Sequence, residues 1–210
     1  MAHQHQVQLN RDLVQAWWYE DVLSIVRQHL DEFNLVNCTT ALQRLVKAGG
    51  KQSRSGKELK ALLALTTRLV REAGDQCPAQ NLSNALWACD RLQLGEEKEV
   101  AELMEAARVA VSDPYRLKRF TGQNLANTAW AAAKLGCGAK DFLPFAEAIE
   151  KRARDLNGQE LSMAAWALAS VGEPVGGGKV KRLRGIEAIV ETLHDLPGGG
   201  VWALDAQQLA

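Results

Sequence analysis

Along most of the chain, apolar residues recur at i, i+3, i+4 and i+7, the period of a helix with one buried face. Residues 56–73 place Leu59, Leu62, Leu63, Leu65 and Leu69 in this way, and residues 96–111 place Val100, Leu103, Ala106, Ala107 and Ala110. The same pattern returns at 140–154 with Phe142, Phe145, Ile149 and Ala153, and at 180–194 with Leu183, Ile186, Ile189, Val190 and Leu193. Between these segments runs a second helical pattern, and it is a repeated phrase. It reads QNLSNALWACDRL at 80–92, QNLANTAWAAAKL at 123–135 and QELSMAAWALASV at 159–171. A weaker copy, FNLVNCTTALQRL, stands at 33–45, and a fifth opens as QQLA at 207. The phrase is termed helix A here, and the intervening amphipathic segments helix B. Helix A is predicted near 32–47, 78–93, 121–135 and 158–171.

The anchoring leucines Leu35, Leu82, Leu125, Leu161 and Leu209 are 47, 43, 36 and 48 residues apart, so the unit varies in length. Four residues before each stand Asp31, Pro78, Thr121, Asn157 and Asp205. Four of these five types accept hydrogen bonds from the free N–H groups of a first turn. Asn157 with Glu160, and Asp205 with Gln208, have the spacing of capping boxes. Gly136 and Gly172 suit helix ends. Residues 11–30 read as a lone helix B ahead of the first copy, with Trp17, Trp18 and Tyr19 packing under the N-terminal cap. Helix A of the third copy is apolar nearly all round (Ala126, Ala129, Ala131, Ala132, Ala133), as an inner helix packed on several sides would be. Tandem helix–turn–helix units bury their faces by stacking. The expected fold is therefore all-α, a single α-solenoid over 1–210 with repeats of roughly 36–48 residues starting near 31, 78, 121 and 157. A truncated repeat begins at 205. A chain that stops on the opening of a unit lacks the polar cap a solenoid end needs, which suggests a fragment.

Composition changes this picture little. Lys and Arg number 25, Asp and Glu 25, so formal net charge is zero and a wholly basic nucleic-acid binder is excluded. Hydrophobic residues at 47% exclude a disordered chain. No run reaches the roughly 20 apolar residues that cross a bilayer, so no membrane partner is expected. The N-terminus lacks the apolar core of a secretory signal. Cys38, Cys77, Cys89 and Cys137 form no C-x-x-C pair and no two histidines stand four apart, so neither metal nor cofactor is expected, only buried free thiols. The run Gly176-Gly177-Gly178-Lys179 fails as a phosphate loop, because Glu173 and Val180 occupy positions that need Gly and Ser or Thr. No nucleophile or paired-carboxylate constellation supports catalysis, and no small-molecule substrate is implied.

The chemistry the pattern does offer lies on helix A. At 100° per residue, Leu82, Ala85, Leu86, Cys89 and Leu92 cluster on one side, and Asn84, Trp87 and Arg91 on the other. Asn127, Trp130 and Lys134 repeat the arrangement, and the first copy puts Asn37, Thr40 and Arg44 in the same slots. Stacked repeats would then present a column of Asn37, Asn84 and Asn127 beside a column of Arg44, Arg91 and Lys134. Asn amides can read base edges and basic side chains can neutralise phosphates, so these six residues are the candidate sites for single-stranded RNA. Trp87, Trp130 and Trp166, in phase along the repeats, are expected to be core wedges between helices A and B. Basic runs (Arg116, Lys118, Arg119; Lys151, Arg152, Arg154; Lys179, Lys181, Arg182, Arg184) and the acidic run Glu96 to Glu105 point to segregated charge behind the zero balance.

The phrase QNLANTAWAAAKLG and its variants resemble the octotricopeptide-type repeats of organellar RNA-associated proteins, many of which carry a C-terminal RAP domain, with FAST-kinase-like mitochondrial proteins similar at fold level. The resemblance covers residues 31–210 and is carried by the Leu-x-Asn-x-x-Trp core. Thr40 stands where Trp is expected, Met163 and Ser170 where Asn and a basic residue are expected, and no RAP-like segment is present. The resemblance implies single-stranded RNA binding in a chloroplast or mitochondrion, in processing, stability or translation of organellar transcripts. The alternative is an armadillo- or HEAT-like scaffold that binds other proteins and no RNA.

Overall fold

The structure is a computed structural model that describes residues 2–49, 56–171 and 178–195, with side chains at 4–49, 56–171 and 184–195. The described residues form eleven α-helices and three short 3-10 turns, with no strand among them. In order these are α1 (Ala2–Gln15), α2 (Tyr19–His29), α3 (Leu35–Lys47), α4 (Lys57–Ala73), α5 (Ala79–Arg91), α6 (Lys98–Ser112), α7 (Pro114–Leu117), α8 (Gly122–Lys134), α9 (Leu143–Arg152), α10 (Gly158–Ser170) and α11 (Gly178–Asp195). Helices α3, α5, α8 and α10 are the four predicted A segments, and α4, α6, α9 and α11 the four predicted B segments. No helix is long and apolar enough to cross a membrane among the described residues. Residues 172–177 and the partial repeat at 205–210 lie outside the described residues, as do the side chains of Lys179, Lys181 and Arg182.

The chain divides into two compact units, 1–106 and 107–210, with the division inside α6. In the first, α3 lies between α1 and α5, and α2 and α4 pack against it as a second layer. Leu13, Val22, Val26, Leu42, Leu45, Leu62, Leu82 and Leu86 are fully buried there. Each such side chain contributes roughly 1.5–3 kcal/mol over an exposed one. Ion pairs tie the B segments side to side: Arg27 to Glu58 at 2.9 Å, Lys60 to Glu97 at 3.2 Å and Arg71 to Glu102 at 3.5 Å. The acidic run that begins at Glu96 is thus partly answered by bases of α4. Exposed pairs of this kind set register more than stability.

In the second unit α8 packs on α10, α9 on α8, and α11 on α9 and α10. Leu125, Ala129, Phe142, Phe145, Ile149, Leu161 and Leu168 are fully buried. At Gly185 of α11, a Cβ would come within 3.2 Å of Leu168 and 3.3 Å of the Ala146 carbonyl, so the helices cross closely there. Asp113 caps α7 by accepting from the N–H groups of Tyr115 and Arg116 at 2.8 and 2.9 Å.

The N-terminal region departs from expectation. The single helix predicted at 11–30 is two, α1 and α2, broken at Ala16–Trp18. Leu13 and Val22 are nine residues apart, half a turn out of phase at 100° per residue, so one straight helix would turn them to opposite sides. The break lets both be fully buried. It also gives α2 the A-type partner it was expected to lack, since α1 packs on α3. Trp17 and Trp18, expected under the cap, form the outside of this turn at 80% and 74% exposure, while Tyr19 is buried.

Candidate nucleic-acid interface

The four A helices share one register, set by their ends. N-caps stand at Asn34, Pro78, Thr121 and Asn157. Asn34 and Asn157 form reciprocal capping boxes with Asn37 and Glu160, the second as its spacing predicts, and Thr121 accepts from the Asn124 N–H at 3.1 Å. Pro78 needs no side-chain acceptor to begin a helix with its fixed φ. Fifteen residues after the first three caps, Gly49, Gln93 and Gly136 adopt positive φ of 70°, 58° and 81°. In two of these ends the next N–H closes the turn, Leu94 on the Cys89 carbonyl at 2.9 Å and Cys137 on that of Ala132 at 3.0 Å, the Schellman arrangement.

This register moves the first copy by three residues. Asn34, not Asp31, is its cap, and Asp31 falls in the 3-10 turn before it. Asn37 therefore matches Asn81 and Asn124, not Asn84 and Asn127. Arg44 matches Ala88 and Ala131. The first-copy residues that do match the predicted columns are Thr40, Gln43 and Lys47, in the places of Asn84, Trp87 and Arg91.

Asn37 and Arg44 accordingly serve the fold. Asn37 is 1% exposed; its Oδ1 accepts from the Asn34 N–H at 3.2 Å and its Nδ2 donates to the Gln6 carbonyl of α1 at 3.0 Å. Asn81 does the equivalent one helix on, its Nδ2 donating to Thr39 Oγ1 of α3 at 3.2 Å in a buried setting. Arg44 donates to the Ala16 carbonyl at the end of α1. Neither Asn37 nor Arg44 stands in a surface column.

The remaining four candidates lie on the solvent-facing sides of their own helices, two on α5 and two on α8. Arg91 and Lys134 are exposed, Asn84 and Asn127 half-buried. Neither Asn84, Asn127 nor Arg91 has a side-chain hydrogen bond or ion pair with the described residues. Counted from the cap, the second, sixth, ninth and thirteenth residues of helix A fall within about 60° of one another at 100° per residue. They are Gln80, Asn84, Trp87 and Arg91 on α5, Gln123, Asn127, Trp130 and Lys134 on α8, and Gln159, Met163, Trp166 and Ser170 on α10. The glutamines escaped notice in the sequence because polar residues early in a helix are common.

The tryptophans sit at the rim of the core rather than inside it. Trp87 and Trp130 are half-buried and Trp166 is 40% exposed. The rings of Trp130 and Trp166 lie 5.9 Å apart, tilted by 44°. Lys134 Nζ stands 4.5 Å from the Trp166 ring and 5.5 Å from that of Trp130. Such cation–π contacts contribute about 0.5–1 kcal/mol at exposed sites. They hold the ammonium over the aromatic pair. Beside the pair, a polar groove of about 200 Å³ is lined by Gln123, Asn127, Gln159 and Met163 with Asn157 and Glu160.

Three residues of the basic runs are already engaged. Arg152 bridges to Asp155 and donates to the carbonyls of Leu117 and Phe120, which fixes the end of α7. Arg116 and Arg119 also have partners within the fold. No family model matches the sequence, and no curated protein matches it either.

Proposed function

We propose that this chain is an RNA-binding helical-repeat module, an α-solenoid whose A helices present their exposed faces to single-stranded RNA. The observation that carries the reading is the Trp130–Trp166 pair with Lys134 over both rings, beside unpartnered amides. Aromatic faces stack on any base, a nearby ammonium offsets phosphate charge, and amides can read base edges. Three kinds of group useful to a single strand thus share one side of α8 and α10. Action on organellar transcripts, in a chloroplast or mitochondrion, rests on the resemblance to octotricopeptide-type repeats alone. The module has no catalytic role in this reading.

The test is binding of a pool of short single-stranded RNAs by the full chain and by a Trp130→Ala, Trp166→Ala double variant. Base stacking is worth about 1–3 kcal/mol per base, so each lost ring should weaken binding by roughly 5- to 150-fold. Unchanged affinity in a folded double variant would overturn the reading. A protein-binding scaffold is the second reading. It is favoured by an apolar groove of about 500 Å³ between α4 and α6, lined by Thr67, Val70, Ala101 and Ala106 with Arg71, Glu102 and Glu105 at its rim. Absence of RNA binding by the unaltered chain would leave that reading in place.

A further inference from the structure

His5, distant in sequence, meets the neighbouring His29 and Glu32 at the N-terminal end of the first unit. His5 comes from α1, His29 from the last turn of α2, and Glu32 from the 3-10 turn Leu30–Glu32 that follows. His5 Nε2 lies 2.6 Å from one Glu32 carboxylate oxygen and His29 Nδ1 lies 2.8 Å from the other. The two imidazole rings stand edge to face with centroids 6.2 Å apart. One donor atom from each residue fits within a 4.8 Å span.

Two imidazoles and one carboxylate are a donor set that zinc takes with three protein ligands and one open position. We propose that His5 Nε2, His29 Nδ1 and a Glu32 carboxylate oxygen form a Zn²⁺ site, its fourth position filled by water. Bonds of about 2.0–2.1 Å in a tetrahedron put neighbouring donors about 3.3 Å apart. The imidazole now bonded to the ligating oxygen must therefore move out by roughly 0.5–0.7 Å, and the other must turn from the second carboxylate oxygen toward the ion. The side chains can do this without backbone movement, since they are 48%, 35% and 46% exposed. The same exposure gives the ion a direct path from solvent.

The absence of a C-x-x-C pair and of histidines four apart, which excluded a metal on sequence grounds, concerned residues close together in the chain. Here the ligands come from two helices and a turn, and the break at Ala16–Trp18 is what folds α1 back beside α2. Zinc would tie these elements together across 27 residues of chain, the separation of His5 and Glu32. The thiols offer little competition: Cys38, Cys77 and Cys89 are buried and Cys137 is half-buried. The site is independent of the RNA reading, because none of its residues lies on the exposed face of an A helix.

The experiment titrates the full chain with Zn²⁺ alone, by calorimetry and by thermal unfolding, and repeats the titration with Co²⁺ while recording visible absorption. The expected result is one ion per chain and a rise in Tm of about 5–10 °C at a hundredfold excess over Kd. Co²⁺ should give the intense visible bands of a four-coordinate site. His5→Asn, His29→Asn and Glu32→Gln should each weaken binding at least about tenfold while leaving the metal-free Tm within a few degrees. His3→Asn and His194→Asn should change nothing. Absence of heat and of any Tm rise up to about 1 mM zinc would overturn the proposal. So would binding that survives loss of Glu32 or moves with His3 instead of His5.

Discussion

Replacing Asn37 by Ala separates two accounts of the same residue type. If Asn37 belongs to the fold, as its position three residues after the Asn34 cap implies, the change removes two hydrogen bonds from a site that is 1% exposed. Each is worth about 1 kcal/mol net, and the part-buried Gln6 and Asn34 backbone groups then lose a partner, so the total is about 2–3 kcal/mol. For a chain of this size that lowers Tm by roughly 5–10 °C. Asn127→Ala removes no hydrogen bond to a described residue and should stay within about 0.5 kcal/mol of the parent. Urea unfolding followed by circular dichroism gives the stability of each variant, and fluorescence anisotropy with a labelled single-stranded RNA gives its affinity. Asn37→Ala should lose stability and keep its RNA affinity when folded, whereas Asn127→Ala should do the reverse. An Asn37→Ala variant as stable as the parent but weakened toward RNA would refute the three-residue register and restore Asn37 and Arg44 to the surface column.

Three further outcomes are expected. Lys47→Gln, Arg91→Gln and Lys134→Gln should each reduce the dependence of log K on log salt by about 0.7 if the residue neutralises one phosphate, without sequence preference, while Arg44→Gln should act on stability instead. Gln93, the one non-glycine residue with positive φ among the described residues, should accept Gln93→Gly with a gain of about 0.5–1 kcal/mol in urea unfolding; a loss would mean the left-handed turn carries no strain. Burial pushes the Cys38 and Cys89 thiols up from 9.0 to about 12, so the folded state keeps protons that the unfolded state releases above pH 9. Stability should be intact below that pH and fall between about pH 9 and 12, by up to about 1.4 kcal/mol per pH unit and thiol, with a shallower fall in Cys38→Ala.

Some of this was legible in the sequence because it is local. The A and B segments follow from apolar period, and their ends from residues such as Thr121, Asn157 and Gly136 whose chemistry acts within one turn. The first copy misled because its leucine was aligned rather than its cap. Leu35 matches the phrase by identity, but Asn34 with Asn37, and Gly49 fifteen residues after that cap, carry the register. A reading anchored on helix ends would have found Lys47 in place of Arg44.

What only the tertiary structure decided is which of two like residues faces outward. Asn81 and Asn84 stand three apart on one helix and look equivalent by type. The first is buried and donates to Thr39 of the neighbouring helix, and the second is half-buried with no side-chain hydrogen bond to a described residue. The same holds for the tryptophans. The wheel places Trp130 and Trp166 on the side away from the leucines, but their half-exposure depends on whether another helix covers that side. The break at Ala16–Trp18, and with it the meeting of His5, His29 and Glu32, is likewise tertiary. A helical period states which residues share a face, while burial and partnership are set by the elements packed against that face, and those come from distant parts of the chain.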